Sequence, residues 1–240
     1  GKYNLCEGKG MISVKQVSKS FHGNHVLDHI SFEIPDQTAT ALIGPNGIGK
    51  TTLLNILCGS LVPDSGEVTS ETPDFQREIF TVLSGSHQLY AKNTVKENIE
   101  FLAVLRGLSN SDIRQNLDRY LPSFPLYDSV KNKLFEELST GQKQLMILLA
   151  ALVTNSRYLI LDEPTEGLDL DHKRALLHAV TSIRNTKTIL ITSHDSDFIT
   201  SAAERFLFLK DGQIAVEKEH LDTKEFLKIY EALYLQGESL

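Results

Sequence analysis

Three kinds of hydrophobic patterning follow one another along this chain. Ile12, Val14 and Val17, and then Ile30, Phe32 and Ile34, mark two segments that begin by alternating with polar residues, the period of strands wetted on one face. The runs Ala39 to Ile43, Tyr158 to Leu161 and Thr188 to Thr192 are instead continuously apolar, as expected of parallel strands covered on both faces. The helical period first shows at Leu53, Leu54, Ile56 and Leu57 and dominates from Thr94 to Leu138. There Thr94-Val-Lys-Glu97 has the form of a capping box ahead of Ile99, Phe101, Leu102 and Leu105. A second stripe, Ile113, Leu117, Tyr120 and Leu121, is closed by Pro122. Another capping box, Ser139-Thr-Gly-Gln142, opens a helix running through Leu145, Ile147, Leu148, Leu149, Ala151 and Leu152; being apolar nearly all round, it is expected to be buried. Asp171 to Ile183 reads as an amphipathic helix, and Phe226, Leu227, Tyr230, Leu233 and Tyr234 mark a terminal one. These elements predict an α/β fold: a mixed, mainly parallel core sheet, an antiparallel β layer against one side, and a helical subdomain inserted at about residues 93 to 150.

The segment after Ile43 carries the first candidate chemistry. Gly44, Pro45, Asn46, Gly47, Ile48, Gly49, Lys50, Thr51 and Thr52 fit G-x-x-x-x-G-K-[S/T] between a predicted strand and a predicted helix, the context a phosphate-binding loop requires. Its glycines let backbone N–H groups turn inward, and the following helix adds its own free N–H groups and positive dipole end. Lys50 is expected to reach the terminal phosphates and the Thr51 hydroxyl to ligate Mg²⁺. Two further apolar strands end in polar groups. Asp162 and Glu163 follow the first, so Asp162 is a candidate Mg²⁺ ligand and Glu163 a candidate base for an attacking water; Ser193-His194-Asp195 follows the second, which makes His194 a candidate γ-phosphate contact. The helix opening at Ser139, with free N–H groups at Thr140 and Gly141, is an anion site without an obvious ligand in its own chain.

Composition narrows the function. At 240 residues with 41% hydrophobic content the chain is long enough for one sizeable α/β domain. The net charge of −7 opposes nucleic-acid binding, and no stretch approaches the length of a membrane span, so a cytoplasmic protein without nucleic-acid partners is expected. Cys6 and Cys58 show no metal or redox spacing. Residues 1 to 10 are polar and featureless, and are expected to be disordered or foreign to a natural start at Met11.

Leu138-Ser-Thr-Gly-Gln-Lys-Gln144 resembles the signature of ATP-binding-cassette (ABC) ATPases, usually Leu-Ser-Gly-Gly-Gln, and the other motifs then fall in that family's order. Gly44 to Thr51 is similar to Walker A, Tyr158 to Glu163 to Walker B, Glu166-Gly-Leu-Asp169 to the D-loop and His194 to the switch histidine. Pro63-Asp-Ser-Gly-Glu67 and Lys210-Asp-Gly212 are further landmarks, and Phe21 stands where the family places an adenine-stacking aromatic. The resemblance, which covers Ile12 to Ile214, implies an ATPase of the P-loop class using ATP and Mg²⁺, with catalytic roles for Glu163, His194 and Lys50. It implies two such domains head to tail, identical or different, each nucleotide lying between one Walker A and the partner domain's Ser139, Thr140, Gly141 and Gln142. It also implies a separate integral membrane permease, with this chain peripheral on the cytoplasmic face, and the helical block is more similar to export systems than to importers. Two positions depart from the pattern: Thr140 replaces the usual Gly, and the Q-loop Gln, due near Ser84 or Gly85, has its only counterpart in Gln88, a candidate third metal ligand. The alternatives are a soluble ABC ATPase uncoupled from transport and a degenerate nucleotide-binding switch.

Overall fold

The computed structural model describes residues 11–83 and 88–235. The expected start before Met11, Cys6 and the Q-loop positions Ser84 and Gly85 lie outside them.

The chain opens with β1 (Ile12–Phe21) and β2 (Asn24–Ile34), an antiparallel hairpin turned by His22 and Gly23, whose φ angles are 50° and 84°. β3 (Ala39–Ile43), α1 (Lys50–Leu57), β4 (Ser65–Ser70) and β5 (Ile79–Leu83) follow. Next come α2 (Val95–Leu105), α3 (Asn110–Tyr120), the short α4 (Tyr127–Val130) and α5 (Thr140–Val153), and then β6 (Tyr158–Asp162). The remainder is α6 (Leu170–Ile183), β7 (Thr188–Thr192), α7 (Ser196–Ala202), β8 (Arg205–Lys210), β9 (Gln213–Glu219) and α8 (Thr223–Tyr234).

The strands form two sheets. The core sheet has the order β5-β6-β7-β3-β8-β9, parallel except for the antiparallel edge pair β8-β9, and the second sheet is antiparallel in the order β2-β1-β4. Side-chain alternation then divides the core into two layers. Ala39, Ala41, Ile43, Leu159, Leu161, Ile189, Ile191, Phe206 and Phe208 pack with the helical side, including all of Leu145 to Val153 of α5. Leu42, Tyr158, Ile160, Leu190, Leu207 and Leu209 pack on the other face with α1 and with Ile12, Val14, Val17, Ile30 and Phe32 of the antiparallel layer. Each continuous apolar strand thus feeds two cores, which is why it shows no polar alternation.

The spacing Ile12, Val14, Val17 has a local cause. The β1-β2 register shifts between Val14 and Val17, and Gln16 adopts φ 50°, so an inserted residue returns Val17 to the buried face. The capping boxes at Thr94 and Ser139 both form, with the Glu97 and Gln142 side chains returning to the cap N–H groups at 2.7 and 3.1 Å.

Candidate nucleotide site

β3, β6 and β7 are neighbours in parallel register, Ala41 opposite Ile191 and Asp162 opposite Thr192. Their carboxyl ends therefore open at one edge of the sheet, which brings Gly44, Asp162, Glu163 and His194 together although they are separated by up to 150 positions.

The loop after β3 has little steric freedom. A Cβ on Gly44 would meet the Ile48 Cγ2 at 2.8 Å and the Leu209 carbonyl at 3.2 Å. Gly49 caps α1 at φ 114° with the Val26 carbonyl 3.2 Å from where a Cβ would stand, so both conformation and space demand glycine there. Among the described residues no acceptor takes the N–H groups of Gly49, Lys50, Thr51 or Thr52. Donors left free around one turn at a helix N-terminus suit an anion. Lys50 curls over the loop, its Nζ donating to the Gly44 carbonyl at 2.6 Å and the Pro45 carbonyl at 3.2 Å. Burial pushes its pKa down, opposed by the nearby Glu163 and Asp162 carboxylates.

Opposite the loop, Thr192 organises the two acids. Its hydroxyl donates to Asp162 Oδ1 at 2.6 Å, and the Glu163 N–H approaches both the Thr192 carbonyl (3.1 Å) and its hydroxyl oxygen (3.0 Å). Glu163 sits at φ 48°, a left-handed conformation that a non-glycine residue holds at a cost of order 1–3 kcal/mol and that clusters at functional sites. Its Oε2 accepts the His194 backbone N–H at 3.1 Å. The other oxygen, Oε1, is buried without a hydrogen bond, although His194 Nε2 lies 3.2 Å away, because that ring nitrogen is directed to Asn46 Oδ1 at 2.8 Å. Burial raises the Glu163 pKa, with His194 and Lys50 pulling it back. A half-buried carboxylate whose pKa is raised is a suitable proton acceptor for a water brought to it. Asn46, Glu163, Thr165, Glu166, Gly167, Lys173, His194 and Asp195 line an open cleft of about 490 Å³ at this point.

For Mg²⁺ the donor set fits: Thr51 stands in the first turn of α1 with an exposed side chain, and Asp162 keeps one carboxylate oxygen beyond the Thr192 bond. Gln88 does not fit. Its Nε2 donates to the Thr81 carbonyl at 2.5 Å and its Oε1 accepts the Leu83 N–H at 2.8 Å, so both polar atoms are engaged in closing the end of β5. The expected outcome of Gln88→Ala is accordingly structural. Two lost hydrogen bonds at about 1 kcal/mol each lower Tm by a few degrees, while the Mg²⁺ concentration for half-maximal ATP turnover stays put; thermal melts and a Mg²⁺ titration check this.

Phe21 ends β1 as a residue 41% exposed, with Lys19 Nζ 5.6 Å from its ring centroid, so it is not a core side chain. Its hairpin is seated beside the phosphate loop through the Val26–Gly49 contact. Ser139 and Gln142 cap α5, and none of Ser139, Thr140, Gly141 or Gln142 lines the cleft at Glu163. Sequence reasoning missed Thr192 and Asn46's contact with His194. The one signal was a threonine closing an otherwise apolar strand.

Residues 27–166 match the family model described as ABC transporter. The chain is 30% identical over 210 residues to the SkfA peptide export ATP-binding protein SkfE of Bacillus subtilis, covering 85% of this chain and 87% of that protein. It is 29% identical to the spermidine/putrescine import ATP-binding protein PotA of Mycoplasma capricolum, over 85% of this chain but spanning only 60% of PotA's length. The structure of CbiO1 from Clostridium perfringens, part of the ABC transporter complex CbiONQ, superposes with a TM-score of 0.80 at 26% identity, covering 94% of this chain and 96% of that one. The chain belongs to the ABC transporter family, as its ATP-binding and ATP-hydrolysing domain.

Proposed function

We propose that this chain is the ATPase subunit of an ABC exporter whose membrane-spanning part is a separate permease chain, and that it works as a pair of ATPase domains closed head to tail around Mg²⁺-ATP. The observation that carries the pairing is the separation of two anion sites. The Gly44–Thr52 loop shares its sheet edge with Glu163 and His194, whereas the N–H groups of Thr140 and Gly141, at the start of α5, have no acceptor among the described residues and lie outside that cleft. A second domain supplies the ligand for the latter by presenting its own nucleotide.

In this reading Phe21 stacks on the adenine, the loop N–H groups and Lys50 hold the phosphates, and Thr51 and Asp162 would hold Mg²⁺, which would supply neutralising charge to the phosphates. Glu163 orients and deprotonates the water, and His194, fixed by Asn46, contacts the γ-phosphate. Closure depends on ATP because its γ-phosphate bridges the two domains, and hydrolysis removes the bridge.

The export direction is supported by the likeness to SkfE over most of both chains, although PotA, an import protein, is nearly as similar. Among the described residues no helix is long and apolar enough to cross a membrane, which fits a peripheral position on the cytoplasmic face beside a separate permease. Affinity capture from detergent-solubilised membranes of the source cell tests this, with mass spectrometry of what is retained. An integral membrane protein is the expected companion. Recovery of soluble companions only, with the chain missing from membranes, would assign the same chemistry to a soluble ATPase.

A further inference from the structure

The first turn of α5 is held by contacts that nucleotide chemistry does not explain. Gly141 is buried, and a Cβ built on it would meet His172 Cδ2 at 2.6 Å and His172 Cβ at 2.7 Å. The imidazole lies directly against the glycine. That ring does not float: its Nδ1 is 2.8 and 2.9 Å from the two Asp169 carboxylate oxygens, and Asp169 Oδ1 also accepts the His172 N–H at 2.9 Å as the N-cap of α6. Hydrogen bonds from the His172 backbone and ring hold the Asp169 carboxyl below the usual carboxylate range. On the other flank, Thr140 Cγ2 lies 3.9 Å from the Cβ position of Gly167. The segment Glu166–Asp169, which lines the Glu163 cleft with Glu166 and Gly167, thus ends in the residue that holds the His172 ring against the start of α5.

We propose that His172 is a positioning residue for ATP turnover: tethered by Asp169, its ring is the bed on which Gly141 seats the first turn of α5. This rests on the reading above, in which that turn meets a nucleotide held by the partner domain. It gives Gly141 a steric reason to be glycine that is independent of the nucleotide. It also links the two ends of the machinery within one chain. The loop beside the cleft at Glu163, and the helix start that serves the other nucleotide, share one imidazole–carboxylate pair, so displacement of either is transmitted to the other.

The test is a double-mutant cycle in the chain with its functional partners, reading kcat, KM for ATP and Tm for the wild type, Gly141→Ala, His172→Ala, the double variant and His172→Asn. A misplacement of order 1 Å at a catalytic assembly costs up to about 100-fold, so His172→Ala is expected to lower kcat roughly tenfold. KM for ATP stays unchanged, because the primary phosphate loop is untouched. His172→Asn, whose amide nitrogen stands in for Nδ1, restores most of the rate. Gly141→Ala loses at least as much as His172→Ala, and the loss in the double variant is smaller than the product of the two single losses, because removing the ring relieves the Cδ2 contact while the Cβ of residue 172, 2.7 Å from the new methyl, remains. Losses that multiply in the double variant would show that the methyl obstructs the nucleotide and not the ring, and would overturn the proposal. A wild-type kcat in His172→Ala would overturn it as well, and does not depend on whether Gly141→Ala folds. Absence of turnover in the wild type would instead strike the reading beneath it.

Discussion

Glu163→Gln keeps ATP bound and loses its turnover. The substitution preserves the shape of the side chain and its capacity to accept the His194 N–H, which Glu163 Oε2 does at 3.1 Å, so the β6 end and the cleft keep their form. What disappears is the basic oxygen. Oε1 is buried without a hydrogen bond, with His194 Nε2 3.2 Å away, and an amide in place of this carboxylate cannot take a proton from water. A positioned general base contributes typically 10²–10⁴-fold, and a loss of that size in kcat is expected, with nucleotide affinity within about threefold of wild type. Phosphate release and equilibrium nucleotide binding measure the two halves separately. The pH profile gives a second signature. Burial raises the Glu163 pKa, and only its ionised form acts as base, so wild-type kcat falls on acidification at a higher pH than an ordinary carboxylate would dictate. Residual activity in the Gln variant lacks that limb. A variant hydrolysing ATP at the wild-type rate would remove Glu163 from the role.

Lys50→Ala acts one step earlier, on binding. The ammonium sits 8% exposed over the loop and bonds the Gly44 and Pro45 carbonyls, poised at the mouth of the N–H cradle. Exchanging those carbonyls for phosphate oxygens costs little, since the lysine is already buried and ordered. Hydrogen bonds to charged groups contribute about 1.5–3 kcal/mol each, and losing even two at the lower value weakens binding on the order of 100-fold. Kd for ATP is expected to rise by that factor, with kcat reduced in addition at saturating nucleotide. Isothermal titration with ATP checks the affinity. Unchanged Kd would mean that the phosphates lie elsewhere than in the Gly44–Thr52 loop. Deleting the buried cation also relieves the desolvation that depresses its pKa, so Tm does not track the loss of affinity.

The two layers of the core, the phosphate loop and the acidic end of β6 were legible in the sequence because each depends on a local pattern. Ala39 to Ile43 is buried throughout, and a run of that kind beside G-x-x-x-x-G-K-T leaves few alternatives. The capping boxes at Thr94 and Ser139 were legible for the same reason, each being complete within four residues. Contacts made across long separations were not. Thr192 joins Asp162 and Glu163 from 30 and 29 positions away, and Asn46 meets His194 from 148, so neither partner could be chosen from spacing alone. The strands β8 and β9 went unread, although Phe206 and Leu207 are buried, because a six-residue apolar segment followed by exposed alternation has no period long enough to separate it from loop. Gln88 is a different case. Residue type suggested a ligand, but a carboxamide beside a strand end is equally able to satisfy backbone groups, and here it does so. His172 drew no notice at all, since a histidine on an amphipathic helix carries no signal until Gly141 is found beneath its ring.

Steady-state phosphate release from Mg²⁺-ATP by the wild-type chain, with Lys50→Ala and Glu163→Gln as controls, tests the central claim most directly. Sustained turnover that requires Mg²⁺ and is suppressed in both variants is expected, with ATP still bound by Glu163→Gln but only weakly by Lys50→Ala. Tight ATP binding with phosphate release at the buffer background would contradict it, and would make this chain a nucleotide-binding switch without catalysis.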